Sequence, residues 1–207
     1  MSNSRDEILV RVRAAEQGIA RTQHYALPDL PYFPCPAGNR SDRFCSRLAS
    51  MGGDCVAMAS IGAFADWFCK RFPNANSCAA TEEVTFARQV GVEETPTSLH
   101  NVDVGIVRAR YGVAETGSVW LSECEYKVSA LGYLAQHLVV LLDPNDIVDG
   151  IQDVYRLRDF QDASYAVLVS GPSATADIEG VLIRGAQGVR SLTVVLLKRP
   201  VSPVASV

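Results

Sequence analysis

The sequence lacks several features that would each have named a function. No apolar run approaches the roughly 18 residues a membrane-spanning helix needs; Leu138–Leu142 and Val194–Leu197 are strand-sized. Basic blocks are also missing. Nineteen Lys+Arg against 23 Asp+Glu leave a formal net charge of −4, which argues against a phosphate backbone as main partner. Cysteines are present at 35, 45, 55, 69, 78 and 124, but no C-x-x-C occurs. That spacing excludes an iron–sulfur run and a zinc ribbon. Scattered cysteines of this kind read as small apolar fillers, with a redox or metal role as the rarer alternative. His24, His100 and His137 show no ligand spacing either, so no metal and no cofactor is expected. The start, Met-Ser-Asn-Ser-Arg-Asp-Glu, is acidic where an export signal is basic and apolar, and the expected location is cytoplasmic. Neither a Walker loop nor a dinucleotide fingerprint is found.

What is present describes a globular chain. Hydrophobic residues make up 48 % and charged residues 20 % of the 207 positions, enough for one domain with its own core. Ser4-Arg5-Asp6-Glu7 has the form of a capping box, and Ile8, Val12, Ala15 and Ile19 follow at helical spacing, predicting a helix over about 4–21. Pro28, Pro31, Pro34 and Pro36 then make 22–40 an extended connector. Ser41 is a candidate cap for a helix carrying Phe44, Leu48 and Met51, stopped by Gly52-Gly53.

Two strand–helix–strand units are predicted beyond it. In the first, strands 55–59 and 75–80 flank a helix with Phe64 and Phe68 on its apolar face. In the second, strand 137–142 leads through Asp143-Pro144 into a helix bearing Ile147, Val148, Ile151 and Val154, and strand 165–170 returns. Each pair is expected to be parallel and adjacent. Strands are also expected at 102–113, 118–121 and 192–197, while 82–100 carries mixed signals. The fold class is α/β, three-layered, with a mostly parallel central sheet covered by helices on both sides.

Ligands of open parallel sheets bind where loops leave the carboxyl ends of strands. Two loops are expected there. The first is Ala114-Glu115-Thr116-Gly117, a carboxylate and a hydroxyl beside a glycine. The second runs from Ser170 to Gly180 and offers Gly171, Ser173, Thr175, Asp177 and Glu179. Small residues and free N–H groups can hold an anion, with Glu115 or Asp177 as base. The same residues are equally ordinary turn and capping chemistry. If both loops form one site, Glu115 and Ser173 share a cleft, with the anion nearer Ser173 and Thr175. His137 opens its strand and is expected at the opposite edge of the sheet.

Three segments carry a family resemblance: Ser-Arg-Asp-Glu-Ile-Leu-Val-Arg-Val-Arg (4–13), Ala-Glu-Thr-Gly-Ser (114–118), and Ser-Gly-Pro-Ser-Ala-Thr-Ala-Asp-Ile-Glu-Gly (170–180), continuing into 185–197. Together they resemble the LUD (lactate-utilization) domain family, of the lactate utilization protein C type. Gln187 stands where many of its members have histidine. The resemblance implies one domain over 1–207, with a fold similar to the ribose-phosphate isomerase, glucosamine-phosphate deaminase and CoA-transferase superfamily. It also implies a part in oxidising L-lactate to pyruvate beside iron–sulfur partner subunits. Within that setting the chain is expected to be an accessory or substrate-binding component with a small anionic ligand, no nucleic acid and no membrane. The alternative is a free-standing enzyme of isomerase, transferase or hydrolase type acting on a small anionic or phosphorylated substrate.

Overall fold

A computed structural model of the protein describes residues 4–18, 38–157, 159, 162–175 and 181–200. The chain divides into a short unit, Met1–Pro34, and a main body, Cys35–Val207. In the first, helix α1 (Ser4–Gly18) has Ile8 and Val12 exposed. Most of the proline-rich connector expected over 22–40 lies outside the described residues.

The main body is built on a six-stranded, wholly parallel sheet. Its strands are β1 (Asp54–Ala57), β2 (Ser77–Ala79), β3 (Arg88–Gln89), β4 (Val104–Arg108), β7 (His137–Leu142) and β12 (Ser191–Leu196), in spatial order β1-β12-β7-β4-β2-β3. Buried on both faces, β4, β7 and β12 carry apolar runs (Val104–Val107, Leu138–Leu142 and Val194–Leu196) rather than alternating patterns. Helix α3 (Ile61–Arg71) covers one face. Its Phe64 and Phe68 pack on Val104, Ile106, Val139, Leu141 and Val195. Helix α2 (Arg40–Ser50) covers the other face, where Phe44 and Leu48 meet Leu138, Val140, Leu142 and Val194.

A second, four-stranded sheet shares that other face. It is formed by β5 (Tyr111–Val113), β6 (Ser118–Ser122), β8 (Ile147–Val148) and β9 (Ala166–Val169), in order β8-β5-β6-β9. Along β6, Val119 and Leu121 face the central sheet while Trp120 faces α4 (Ile151–Arg156), the alternation expected of a strand between two layers. The α/β class and the parallel central sheet are therefore as the sequence predicts.

Several local expectations are corrected. Strands β1 and β2 are parallel but not neighbours, because β12, β7 and β4 lie between them. Residues 137–142 and 166–169 are not a parallel pair: β9 belongs to the smaller sheet and runs antiparallel to β6. Ile147 and Val148 form a strand instead of a helix face, since the turn started by Asp143-Pro144 closes after three residues. The predicted strand 102–113 is two strands in two sheets. Asn39, not Ser41, caps α2, its side chain accepting the Ser41 N–H at 3.0 Å. Cys45 and Cys55 are not fillers; they form a disulfide between α2 and the edge strand β1.

Candidate functional site

Two regions of the main body gather polar side chains. The first contains the loops singled out from sequence. Strands β5 and β9 both run antiparallel to β6, and β8 runs parallel to β5. Three carboxyl ends therefore converge beside Ser118. The loops meet there: the Ser170 hydroxyl donates to the Thr116 carbonyl at 3.0 Å, and Thr116 and Ser118 share a 2.7 Å hydroxyl contact. This is the end of the small antiparallel sheet, however, not of the parallel one. Sequence could not show that the strands before the two loops had left the central sheet.

Each predicted residue has a definite place. Glu115 is exposed, and its Oε2 accepts the Ile151 N–H at 3.1 Å, at the start of α4. Beside it, Asp149 takes Arg40 at 2.6 Å and Arg43 at 2.8 Å. Gly117 has φ +66°, and a Cβ there would lie 2.2 Å from the Leu48 nitrogen. Gly171, with φ +79°, lies as close to the Met51 carbonyl. Both glycines let the loops press against α2. Ser173 is half-buried; its N–H is taken by the Val189 carbonyl at 3.0 Å and its own carbonyl by the Gly185 N–H at 2.9 Å. Thr175 pairs with Ile183 in a two-stranded ribbon, β10 (Ala174–Thr175) and β11 (Ile183–Arg184). Asp177 and Glu179 lie outside the described residues. The second loop thus reaches the amino end of β12, which pairs with the amino end of β7. His137 is consequently on the loop's side of the sheet, not across from it.

The second region is at the carboxyl ends of the central strands, where the general rule for parallel sheets places ligands. A cleft of about 500 Å³ is lined by Ser41, Asp42, Met58, Ala59, Pro144 and Lys198. One of about 370 Å³ is lined by Ala59, Ser60, Glu83, Lys198 and Arg199. Ala59 and Lys198 belong to both, between the end of β12 and the start of α3. There Ser60 caps α3, its hydroxyl accepting the Ala63 N–H at 3.2 Å, and the small residues Ala59, Ser60 and Gly62 leave the first helical turn open to a ligand.

Most charges around these clefts are already matched. Arg108, the buried last residue of β4, donates to Glu83 at 2.6 Å and to the Leu197 carbonyl at 3.1 Å. Arg199 reaches Asp146 at 3.0 Å and the Ala109 carbonyl at 3.2 Å. Burial pushes the Asp143 carboxyl upward, but the Arg199 and Asn145 N–H groups outweigh it and hold the group below its ordinary value. Lys198 and Asp42 differ: neither has an ion pair or hydrogen bond among the described residues. The sequence reading missed this cleft. Its signal was a strand followed by Ala-Ser-Ile-Gly-Ala at 59–63, and Lys198-Arg199 directly after the last strand.

Among the described residues no group of three or more His, Cys, Asp or Glu is placed to hold a metal ion. None of the described helices is long and apolar enough to cross a membrane.

The sequence profile of the LUD domain matches residues 55–197. The chain belongs to the LUD domain family. That family is associated with lactate utilization generally. The matched region of this LUD domain runs from β1 to the end of β12 and includes both loops; of the residues lining the two clefts, Ser41, Asp42, Lys198 and Arg199 lie outside it. An uncharacterized protein of Neisseria meningitidis serogroup B is 28 % identical over 126 residues, 59 % of this chain and 54 % of that protein; the chain spans about half the length of this curated relative. The crystal structure of a DUF162 family protein from Deinococcus radiodurans superposes with a TM-score of 0.60, at 15 % identity, covering 78 % of this chain and 99 % of that one. At that identity the likeness concerns the fold.

Proposed function

We propose that this LUD domain serves the oxidation of L-lactate to pyruvate as a component that binds a small carboxylate. It holds no iron–sulfur cluster of its own, works beside iron–sulfur partner subunits, and resides in the cytoplasm. The observation that carries the reading is Lys198, a cation unpaired among the described residues and shared by two clefts at the carboxyl end of a parallel sheet, in a family associated with lactate utilization. In this reading Lys198 and the first turn of α3 take the carboxylate. Asp42, a carboxylate of the same cleft with no side-chain partner among the described residues, accepts the hydrogen of a 2-hydroxyl. Titration calorimetry with L-lactate and pyruvate tests this. Lys198→Ala is expected to weaken binding at least about ten-fold, the equivalent of about 1.4 kcal/mol. Affinity unchanged in the variant, or no binding to the parent protein, rejects it.

A second reading has its own support. Glu115 is exposed and adjoins in sequence the loop where the Thr116 and Ser118 hydroxyls meet and Ser170 bonds to the Thr116 carbonyl, in keeping with a base acting on a small anionic or phosphorylated substrate. Glu115→Gln keeps an acceptor for the Ile151 N–H while removing the base. In this reading turnover is lost while the melting temperature holds. Turnover equal to the parent's rejects a role for Glu115.

A further inference from the structure

The amino ends of β7 and β12 carry a cluster that the lactate reading does not use. His137 and Ser191 are cross-strand partners in register, and Nδ1 of the imidazole lies 2.7 Å from the serine Oγ. The ring of Phe72 packs against the imidazole with centroids 5.3 Å apart, and the Arg71 guanidinium lies 5.3 Å from the centre of that same phenyl ring. Arg190 immediately precedes Ser191, and its N–H bonds to the Gln136 carbonyl at 2.7 Å, which places it beside His137. Both arginines are exposed, and among the described residues neither side chain has an ion pair or a hydrogen bond. Both are near enough to act electrostatically on the imidazole. Two guanidinium groups with no ion pair among the described residues therefore lie near a hydroxyl and an imidazole that the paired strand ends hold in place.

We propose that Arg71, Arg190, Ser191 and His137 form a binding site for a phosphoryl group, free or esterified to a small molecule. Guanidinium groups suit the planar edges of oxyanions and present paired donors. Two such forks match the two charges and three oxygens of a phosphoryl dianion better than the single charge of a carboxylate. With His137 neutral and Nδ1 accepting from the Ser191 hydroxyl, the proton sits on Nε2, which has no protein partner among the described residues and supplies a further donor. The turn that introduces β12 packs closely on Arg190: Gly185 has φ +77°, and a Cβ there would lie 2.4 Å from the Arg190 Cγ.

The charges around His137 also set the pH response. Burial first, then Arg71 on α3 and Arg190 ahead of β12, hold the imidazole below its ordinary value; Asp103, ahead of β4, opposes them. A bound dianion neutralises the two arginines and raises that pKa. By linkage the imidazole contribution strengthens phosphate binding as pH falls through the His137 range, while protonation of the dianion itself, with a second pKa of about 6, opposes it.

The site is independent of the Lys198 cleft, and the test separates the two. Inorganic phosphate and glycerol phosphate are titrated calorimetrically into the full chain, into Arg71→Gln, Arg190→Gln and Lys198→Ala, and the His137 imidazole is followed by NMR. Both phosphates are expected to bind the parent and Lys198→Ala alike. Each arginine variant is expected to weaken them about ten-fold, the equivalent of about 1.4 kcal/mol, and the His137 pKa to rise on binding. Both substitutions lie on exposed side chains, and circular dichroism checks that the fold is kept. Binding of glycerol phosphate alone identifies the ester as ligand; binding of both identifies the phosphoryl group itself. Affinity unchanged in the arginine variants, loss in Lys198→Ala instead, no saturable binding, or competition by lactate at equal strength each overturns the proposal.

Discussion

Ser170 donates its hydroxyl hydrogen to the Thr116 carbonyl, 3.0 Å away and 54 residues earlier in the chain. The bond exists because β5 and β9 flank β6 from either side and end at the same edge. It is the direct tie between the two loops that carry most of the family resemblance. Ser170→Ala is expected to lower stability by about 1 kcal/mol. In a chain of this size that shifts the melting temperature by about 2–4 °C. No change in a calorimetric melt would mean that the glycine contacts alone hold the loops.

Gly117 and Gly91 offer a controlled pair. Gly117 has φ +66°, and its missing Cβ would meet the backbone of α2, which cannot move as a side-chain tip can; around Gly91 nothing lies within 4 Å. Gly117→Ala is expected to cost about 3 kcal/mol or more, since strain and overpacking add. Gly91→Ala is expected to stay within about 1 kcal/mol of the parent. Urea unfolding of the two variants measures the difference directly.

Arg108 is buried at 7 % exposure, and its ion pair with Glu83, at 2.5 Å, has one partner near solvent, Glu83 at 21 %. Removing Arg108 strands Glu83 and leaves the Leu197 carbonyl without its donor. Arg108→Ala is therefore expected to cost about 3 kcal/mol. Glu83→Gln, which keeps an acceptor at the more accessible end, is expected to cost less. Equal losses in chemical denaturation would show that charge, not burial, dominates the pair.

Glu94 sets an acid limit on the 88–98 segment. Arg88, at 2.7 Å, and then the Gly91 N–H and the Ser98 hydroxyl hold its carboxyl down at about 2. A depressed carboxylate contributes stability that is fully present above its unfolded pKa and is lost as pH falls through the folded one. The stability difference between parent and Glu94→Gln is thus expected to be constant above about pH 5 and to vanish towards pH 2. Because the group is near the surface, solvent screening keeps the plateau below about 1 kcal/mol. Denaturation curves across that range provide the measurement, and a difference that grows on acidification would refute the assignment.

The central strands and their helices were legible from sequence because each carries its own signal. Runs such as Leu138–Leu142 are apolar at every position, as buried parallel strands must be. Phe44 with Leu48, and Phe64 with Phe68, recur at the helical period. Asp143-Pro144 fixed a turn start locally, and the LUD resemblance rested on contiguous words of sequence. What the linear pattern could not determine was partnership. A strand of four apolar residues fits either sheet, so the placement of β9 beside β6, and of three strands between β1 and β2, followed only from which faces remained to be covered once the chain had collapsed. The sites followed suit. Thr116 and Ser170 meet because β5 and β9 left the parallel sheet together. Lys198 faces the start of α3 because β12 lies beside β1, and His137 finds Ser191 because β7 and β12 pair in register. Each of these contacts spans tens of residues, and side-chain chemistry alone holds no record of such distances.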